Sequence, residues 1–118
     1  MRHFKRANRL AEQILRDLSR LMEKELAGLG AGMVTLTHVK LSDDLRHAKV
    51  YYSVLGREND RNIIANYLER EKKHIRHILG SQLHLRHIPE FTFKYDPSIE
   101  EGIRIEQLLN EIKSNTKK

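Results

Sequence analysis

The chain has 118 residues, a length typical of one domain with a single hydrophobic core. Its 22 Lys and Arg residues exceed its 16 Asp and Glu residues, and the net charge of +6 favours an anionic partner, most commonly nucleic acid. It has no cysteine and no apolar run of about 18 residues, which excludes disulfides, thiol catalysis and a membrane-spanning helix. The basic N-terminus lacks the apolar segment of a secretory signal, so we expect a cytoplasmic protein.

The first predicted element is an amphipathic helix from Phe4 to about Leu26, in which apolar residues recur every three or four positions. Its opposite side carries cations within a sector of roughly 80°: Arg2, Arg6, Arg9, Arg16, Arg20 and Lys24. Like charges four residues apart, such as Arg16 and Arg20, destabilise a helix by roughly a few tenths of a kcal/mol. That repulsion is tolerable where the row meets phosphates, so the row predicts a nucleic-acid surface. An ordinary solvated helix face is the alternative.

The next stretch predicts a β-hairpin. Three glycines within residues 28–32 end the helix and permit a turn into a strand. The apolar positions of residues 33–41 change parity, so we expect a bulge near His38. Residues 48–54 alternate cleanly and form the second strand, and Ser42-Asp43-Asp44 supplies the turn between the two.

A second long helical segment begins at Asn59 or Asp60. If this helix were straight, Glu71 would lie in the middle of its apolar stripe, and a buried unpaired carboxylate is costly. We therefore expect a break between about Arg70 and His74, which would divide the segment into two helices.

The end of the chain predicts one more strand and one more helix. Glu90 to Tyr95 alternates aromatic and polar residues, and after the Asp96-Pro97 turn a helix places Ile105, Leu108, Leu109 and Ile112 on one side. The predicted order is α-β-β-α-α-β with a C-terminal helix, an α+β fold. We expect one domain over residues 1–113 and a short, basic, disordered tail over residues 114–118.

Few residues have the spacing of a catalytic or metal site. The pairs His74/His77 and His84/His87 could contribute zinc ligands, but a third ligand is not evident, and exposed histidines on a basic surface are the favoured interpretation. A nucleophile elbow and a phosphate-binding loop are both missing from the sequence. We therefore expect no enzyme activity, cofactor, metal or small-molecule substrate.

RNA binding through phosphate contacts is the favoured chemistry. The predicted contact residues are Arg6, Arg9, Arg16, Arg20, Lys24, Lys72, Lys73, Arg76 and Arg86. Phosphate contacts position a protein but do not read sequence, and aromatic residues for base stacking are few. We expect recognition of a folded RNA by its shape.

Several motifs, taken in order, resemble the ribosome-binding factor A family. They include Arg6-x-x-Arg9-Leu10, Ala48-Lys49-Val50-Tyr51-Tyr52-Ser53 before Gly56, Leu79-Gly80 and Asp96-x-Ser98, and the resemblance runs from Phe4 to Ile112. It implies a KH-like fold of the second topological type, with a three-stranded sheet covered by helices on one face. It also implies a non-catalytic assembly factor that binds the immature small (30S) ribosomal subunit and its rRNA and assists late maturation and rRNA processing. We expect a monomer.

The chain departs from the family pattern at two places. Family members usually have an Ala-x-Gly kink where this chain has Glu71, Lys72 and Lys73, so the resemblance leaves open whether the helix bends there. They often have Asp-Pro-Arg where this chain has Gly28-Leu29-Gly30. Two other functions also remain open: a basic module that binds an acidic protein, and a metal-dependent hydrolase that uses the histidines.

Overall fold

The computed structural model describes residues 2–30, 32–83 and 87–116. Its elements are α1 (Arg2–Leu26), β1 (Met33–Leu41), β2 (His47–Leu55), α2 (Asp60–Leu83), β3 (Glu90–Tyr95) and α3 (Ser98–Thr116). The sheet has the order β1-β2-β3, with β1 and β2 antiparallel and β2 and β3 parallel. The expected α+β class and the three-stranded sheet are confirmed.

The hairpin has the predicted irregularity. The β1–β2 register shifts between Leu36 and His38, so Thr37 is the extra residue of a bulge. The bulge brings the apolar residues on both sides of it onto the same face of the sheet. Val39 and Val50, which pair across the two strands, are both buried on that face.

Helices α1 and α2 cover this apolar face and form one core with it. Ile14 and Leu18 of α1, Leu68 and Ile75 of α2 and Phe91 of β3 are all at most 1% exposed. Each such side chain stabilises the fold by about 1.5–3 kcal/mol through the apolar surface that it removes from water. On the opposite face of the sheet His38, Lys40, Lys49, Thr92 and Lys94 are exposed, whereas Tyr51 is half-buried and Ser53 is buried.

The predicted break in the second helical segment is wrong, because α2 runs without interruption from Asp60 to Leu83. Glu71 is only half-buried, and its carboxylate lies 3.5 Å from Arg70 Nε. Lys72, beside it, keeps its ammonium 3.8 Å from Glu69 Oε2. The side chains of Glu71 and Lys72 are 32% and 38% exposed, so their charged ends reach water and the cost that favoured a break is avoided.

Helix α3 differs from the other two helices in its exposure. Its described side chains between residues 101 and 114 are all exposed, and Ile105, Leu108 and Leu109 are 52–56% exposed. Its apolar side therefore does not join the core. The helix continues to Thr116 and so includes residues 114–116, which we expected to lie in a tail.

Candidate nucleic-acid interface

The cationic row of α1 is on the solvent side of the helix. Ile14 and Leu18 anchor the other side in the core with no exposed surface, which fixes the rotation of the helix about its axis. The exposed residues of the row are Arg6, Arg9, Arg16, Arg20 and Lys24. With a rise of about 1.5 Å per residue, the row extends over roughly 27 Å on one rigid element.

Two of the acidic residues beside the row, Asp17 and Glu25, accept hydrogen bonds from other side chains. Glu25 Oε2 accepts a hydrogen bond from the Tyr67 hydroxyl of α2 at 3.3 Å. Asp17 Oδ2 accepts one from Gln13 Nε2 at 3.1 Å, and Gln13 Oε1 in turn accepts one from Arg16 Nη2 at 3.0 Å. Gln13 therefore orients the Arg16 guanidinium, and neither carboxylate neutralises the row by direct contact.

None of the five cations lies within ion-pair distance of a carboxylate whose position the structure describes. Arginine presents a planar fork of donors that matches phosphate oxygens, and four of the five are arginines. The row therefore presents unneutralised positive charge to solvent.

The predicted cations of α2 differ in their exposure and in their contacts within the protein. Lys73 is exposed, and Lys72 is the half-buried partner of Glu69. Arg76 donates through Nε at 3.3 Å and Nη2 at 2.8 Å to the carbonyl oxygen of Ile88, which ties α2 to the segment before β3. Arg86 lies outside the described residues. Lys73 and the remaining donors of Arg76 are available to a ligand, whereas Lys72 is shared with Glu69.

Two further arginines of α2 have aromatic partners within the protein. Arg61 Cζ lies 3.5 Å from the ring centroid of Tyr95, and Arg70 Cζ lies 5.8 Å from that of Tyr67. Cation–π contacts of this kind hold the arginine over the ring. These residues therefore contribute to the packing of the fold more directly than to an interface.

Three exposed lysines were missed as candidates from the sequence: Lys40, Lys49 and Lys94, one on each strand. They lie on the sheet face that α1 and α2 leave open. The signal was present, because each alternates with residues of the core face, such as Leu41 and Val50. Only the register shows that the three share one surface.

The titration shifts have structural causes. The Ser42 hydroxyl, which donates to Asp44 at 2.6 Å, lowers the pKa of that carboxyl in the hairpin turn. Burial and the neighbouring Glu25 carboxylate raise the pKa of the Tyr67 hydroxyl.

The predicted histidine pairs are only partly described. His74, His77 and His87 are exposed, and His84 lies outside the described residues. Within the described part of the chain, no three His, Asp or Glu side chains are close enough together to hold a metal ion. The same part of the chain contains no helix that is long and apolar enough to cross a membrane.

The fold and the α1 row define a small basic α+β protein with a row of exposed cations along one helix. The sequence model of the family described as "Ribosome-binding factor A" matches residues 6–109, and the chain belongs to this family.

Similar proteins support this assignment. The ribosome-binding factor A of Desulfitobacterium hafniense is 43% identical over 113 residues, which are 96% of this chain and 90% of that protein. The crystal structure of ribosome-binding factor A from Thermus thermophilus superposes with a TM-score of 0.65 at 20% identity, over 75% of this chain and 94% of that one. A homology model of the Thermus protein, fitted into the cryo-EM map of its complex with the 30S subunit, gives a TM-score of 0.62 at 20% identity, covering 74% and 91%. The shared fold agrees with the KH-like topology that the resemblance implied. The two helices expected between the second and third strands of the α-β-β-α-α-β order are a single helix, α2, in this chain.

Proposed function

We propose that this protein binds the immature small (30S) ribosomal subunit through its rRNA and assists late maturation and rRNA processing without catalysing a reaction. Membership of the ribosome-binding factor A family and the relative in Desulfitobacterium hafniense support the proposal. The observation in this chain that carries it is the cationic row of α1, whose exposed residues have no ion-pair partner among the described carboxylates.

The row would act as a straight, preorganised set of phosphate ligands. Because Ile14 and Leu18 are buried in the core and hold α1 in place, the Cα atoms that carry the guanidinium groups keep their spacing when RNA is absent. The proposed contacts are Arg6, Arg9, Arg16, Arg20, Lys24, Lys72, Lys73 and Arg76, with Arg86 as an extension. A surface of fixed spacing binds one conformer of a folded RNA better than others, and this difference in affinity shifts the population toward the bound conformer.

The proposed role sets the remaining properties. The protein would work as a monomer in the cytoplasm, where small subunits are assembled, and would need no cofactor. Its affinity would fall steeply with salt, since each phosphate contact releases counterions.

The test is charge reversal within the row. The double variant Arg16→Glu/Arg20→Glu should bind purified immature 30S subunits at least about tenfold more weakly in sedimentation, because two phosphate contacts become repulsive. The matched control is Arg57→Glu/Arg104→Glu, which changes the net charge equally at exposed positions off the row. Equal binding by the two variants, with both folded by circular dichroism, would contradict the proposal.

An acidic protein partner is the outcome to separate from RNA, because carboxylates would also bind the row. The wild-type protein should be isolated with its partners from a cell extract and treated with ribonuclease. Release of the ribosomal material supports RNA contact, whereas a partner that stays bound after digestion would place a protein on this surface.

A further inference from the structure

The open face of the sheet carries two adjacent cross-strand rows. In the first, Lys40 of β1 pairs with Lys49 of β2, and Lys49 pairs with Thr92 of β3. In the second, His38, Tyr51 and Lys94 are paired in the same way. Neighbouring strands are about 4.8 Å apart, so three ammonium groups and an aromatic ring share a small patch.

This arrangement is unfavourable for the isolated protein. Like charges directly opposite each other on two strands destabilise a sheet, and Lys40 and Lys49 are such a pair. None of the three lysines is within ion-pair distance of a described carboxylate. A bound polyanion would relieve the repulsion.

Two carboxylates, Asp96 and Glu90, lie near opposite ends of the patch. Asp96 is close enough to His38 for their charges to interact, but its oxygens accept hydrogen bonds from Thr37 Oγ1 at 2.7 Å and Ser98 N at 2.9 Å. Glu90 lies at the opposite end of β3, paired with His47. The centre of the patch therefore keeps its positive charge.

An aromatic pair lies within the cationic patch. The rings of His38 and Tyr51 have centroids 5.8 Å apart and are tilted by 35°. His38 is exposed and Tyr51 is half-buried, so part of this ring surface faces solvent. A positively charged surface that also offers aromatic rings is suited to single-stranded nucleic acid, whose bases stack while its phosphates meet the cations.

We propose that the open sheet face binds an unpaired RNA segment, with phosphates on Lys40, Lys49 and Lys94 and a base stacked on Tyr51 and His38. The inference rests on the proposed function, since the segment would belong to the bound subunit. It divides the work between two surfaces: the α1 row meets structured RNA, and the sheet holds an adjacent single strand.

The test compares single-stranded and hairpin RNA probes of about ten and twenty nucleotides, end-labelled and titrated with the full chain by fluorescence anisotropy. The variant Lys40→Gln/Lys49→Gln should lower the slope of log affinity against log salt for the single strand by about 1.4, because each contact contributes about 0.7. Tyr51→Leu, which keeps an apolar side chain, should weaken single-strand binding about tenfold by removing the stacking ring. Arg57→Gln/Arg104→Gln is the matched control for charge.

The possible outcomes separate this inference from the proposed function. If the sheet variants bind the single strand as the control does, or if the wild-type chain does not bind it, the sheet proposal is overturned and the Arg16/Arg20 test on the subunit is unaffected. If the sheet variants weaken hairpin and single strand equally, the face is a general phosphate surface and the single-strand assignment fails. Selective loss of single-strand binding supports it, even if the α1 variants leave subunit binding unchanged.

Discussion

Thr37 and Asp96 are hydrogen bonded to each other, with Thr37 Oγ1 donating to Asp96 Oδ2 at 2.7 Å. Thr37 is the bulge residue of β1, and Asp96 follows the last residue of β3. The other oxygen of Asp96 accepts the Ser98 N–H at 2.9 Å, at the first residue of α3. The bulge therefore does more than correct the parity of β1, because it also holds the turn from which α3 leaves the sheet.

This relationship predicts a pH-dependent stability. The Thr37 hydroxyl, and next the Ser98 amide, hold the pKa of Asp96 below its ordinary value of 3.8. A carboxyl with a lowered pKa stabilises the fold above its unfolded-state pKa, and this contribution is lost as the pH falls through the folded-state pKa. We expect Asp96→Asn to lower the free energy of unfolding in urea at neutral pH, and the difference from wild type to shrink as the pH falls below 3.8.

Substitutions at the donor provide the control. Thr37→Val removes the hydroxyl and should reproduce the loss at neutral pH, whereas Thr37→Ser keeps a donor and should retain most of the stability. If the effect of Asp96→Asn is the same above and below this pH range, the hydrogen bond from Thr37 is not the source of the stabilisation.

Alanine usually stabilises a helix relative to glycine, but the contact between Gly80 and Ile88 predicts the opposite at position 80. A Cβ on Gly80 would clash with Ile88 Cδ1 and would lie 2.8 Å from Ile88 Cγ1. Ile88 is held in place because its carbonyl accepts two hydrogen bonds from Arg76 and because Pro89 after it is buried. We expect Gly80→Ala to lower the free energy of unfolding by about 1 kcal/mol, since overpacking costs about 1–3 kcal/mol and the helix gains only about 1 kcal/mol.

Gly102 is the matched control, because it is also helical but has nothing within 4 Å of the position of a Cβ. Gly102→Ala should raise the helix content measured by circular dichroism and leave the urea midpoint unchanged or higher. A Gly80→Ala variant as stable as Gly102→Ala would mean that Ile88 can move aside.

Helix α1 could be predicted in detail because a single periodicity decides both of its faces. The same spacing that buries Ile14 and Leu18 places Arg16 and Arg20 in water, and no tertiary partner changes that result. The bulge of β1 could also be predicted, since only an extra residue brings both apolar parities to one face.

The continuity of α2 could not be predicted, because it depends on the positions of the Glu71 carboxylate and the Lys72 ammonium group in the folded protein. The sequence shows Glu71 in the apolar stripe, but only the packing shows that its carboxylate reaches the margin beside Arg70. Arg76 is a similar case, since its acceptor on Ile88 is twelve residues away and belongs to the segment before β3. The patch on the sheet needed the register of all three strands.

Because α2 is continuous, a glycine at its centre should lower the stability of the protein. Glycine in a helix interior is about 0.8–1.0 kcal/mol less favourable than alanine. Lys73 is exposed and in the middle of α2, so Lys73→Gly should be less stable in urea than Lys73→Ala by about that amount. Equal stability of the two variants would show that the helix already bends at this position.

The exposure of α3 predicts opposite outcomes for two leucines. Leu68 of α2 has no exposed surface, so Leu68→Ala should lower the free energy of unfolding by about 2–5 kcal/mol through lost burial and a cavity. Leu109 of α3 is 52% exposed, and Leu109→Ala should change the free energy of unfolding by less than about 0.5 kcal/mol. Urea unfolding at two protein concentrations measures both. A large loss in Leu109→Ala that grows with protein concentration would mean that α3 packs against a second copy in solution, because only contacts between copies depend on concentration.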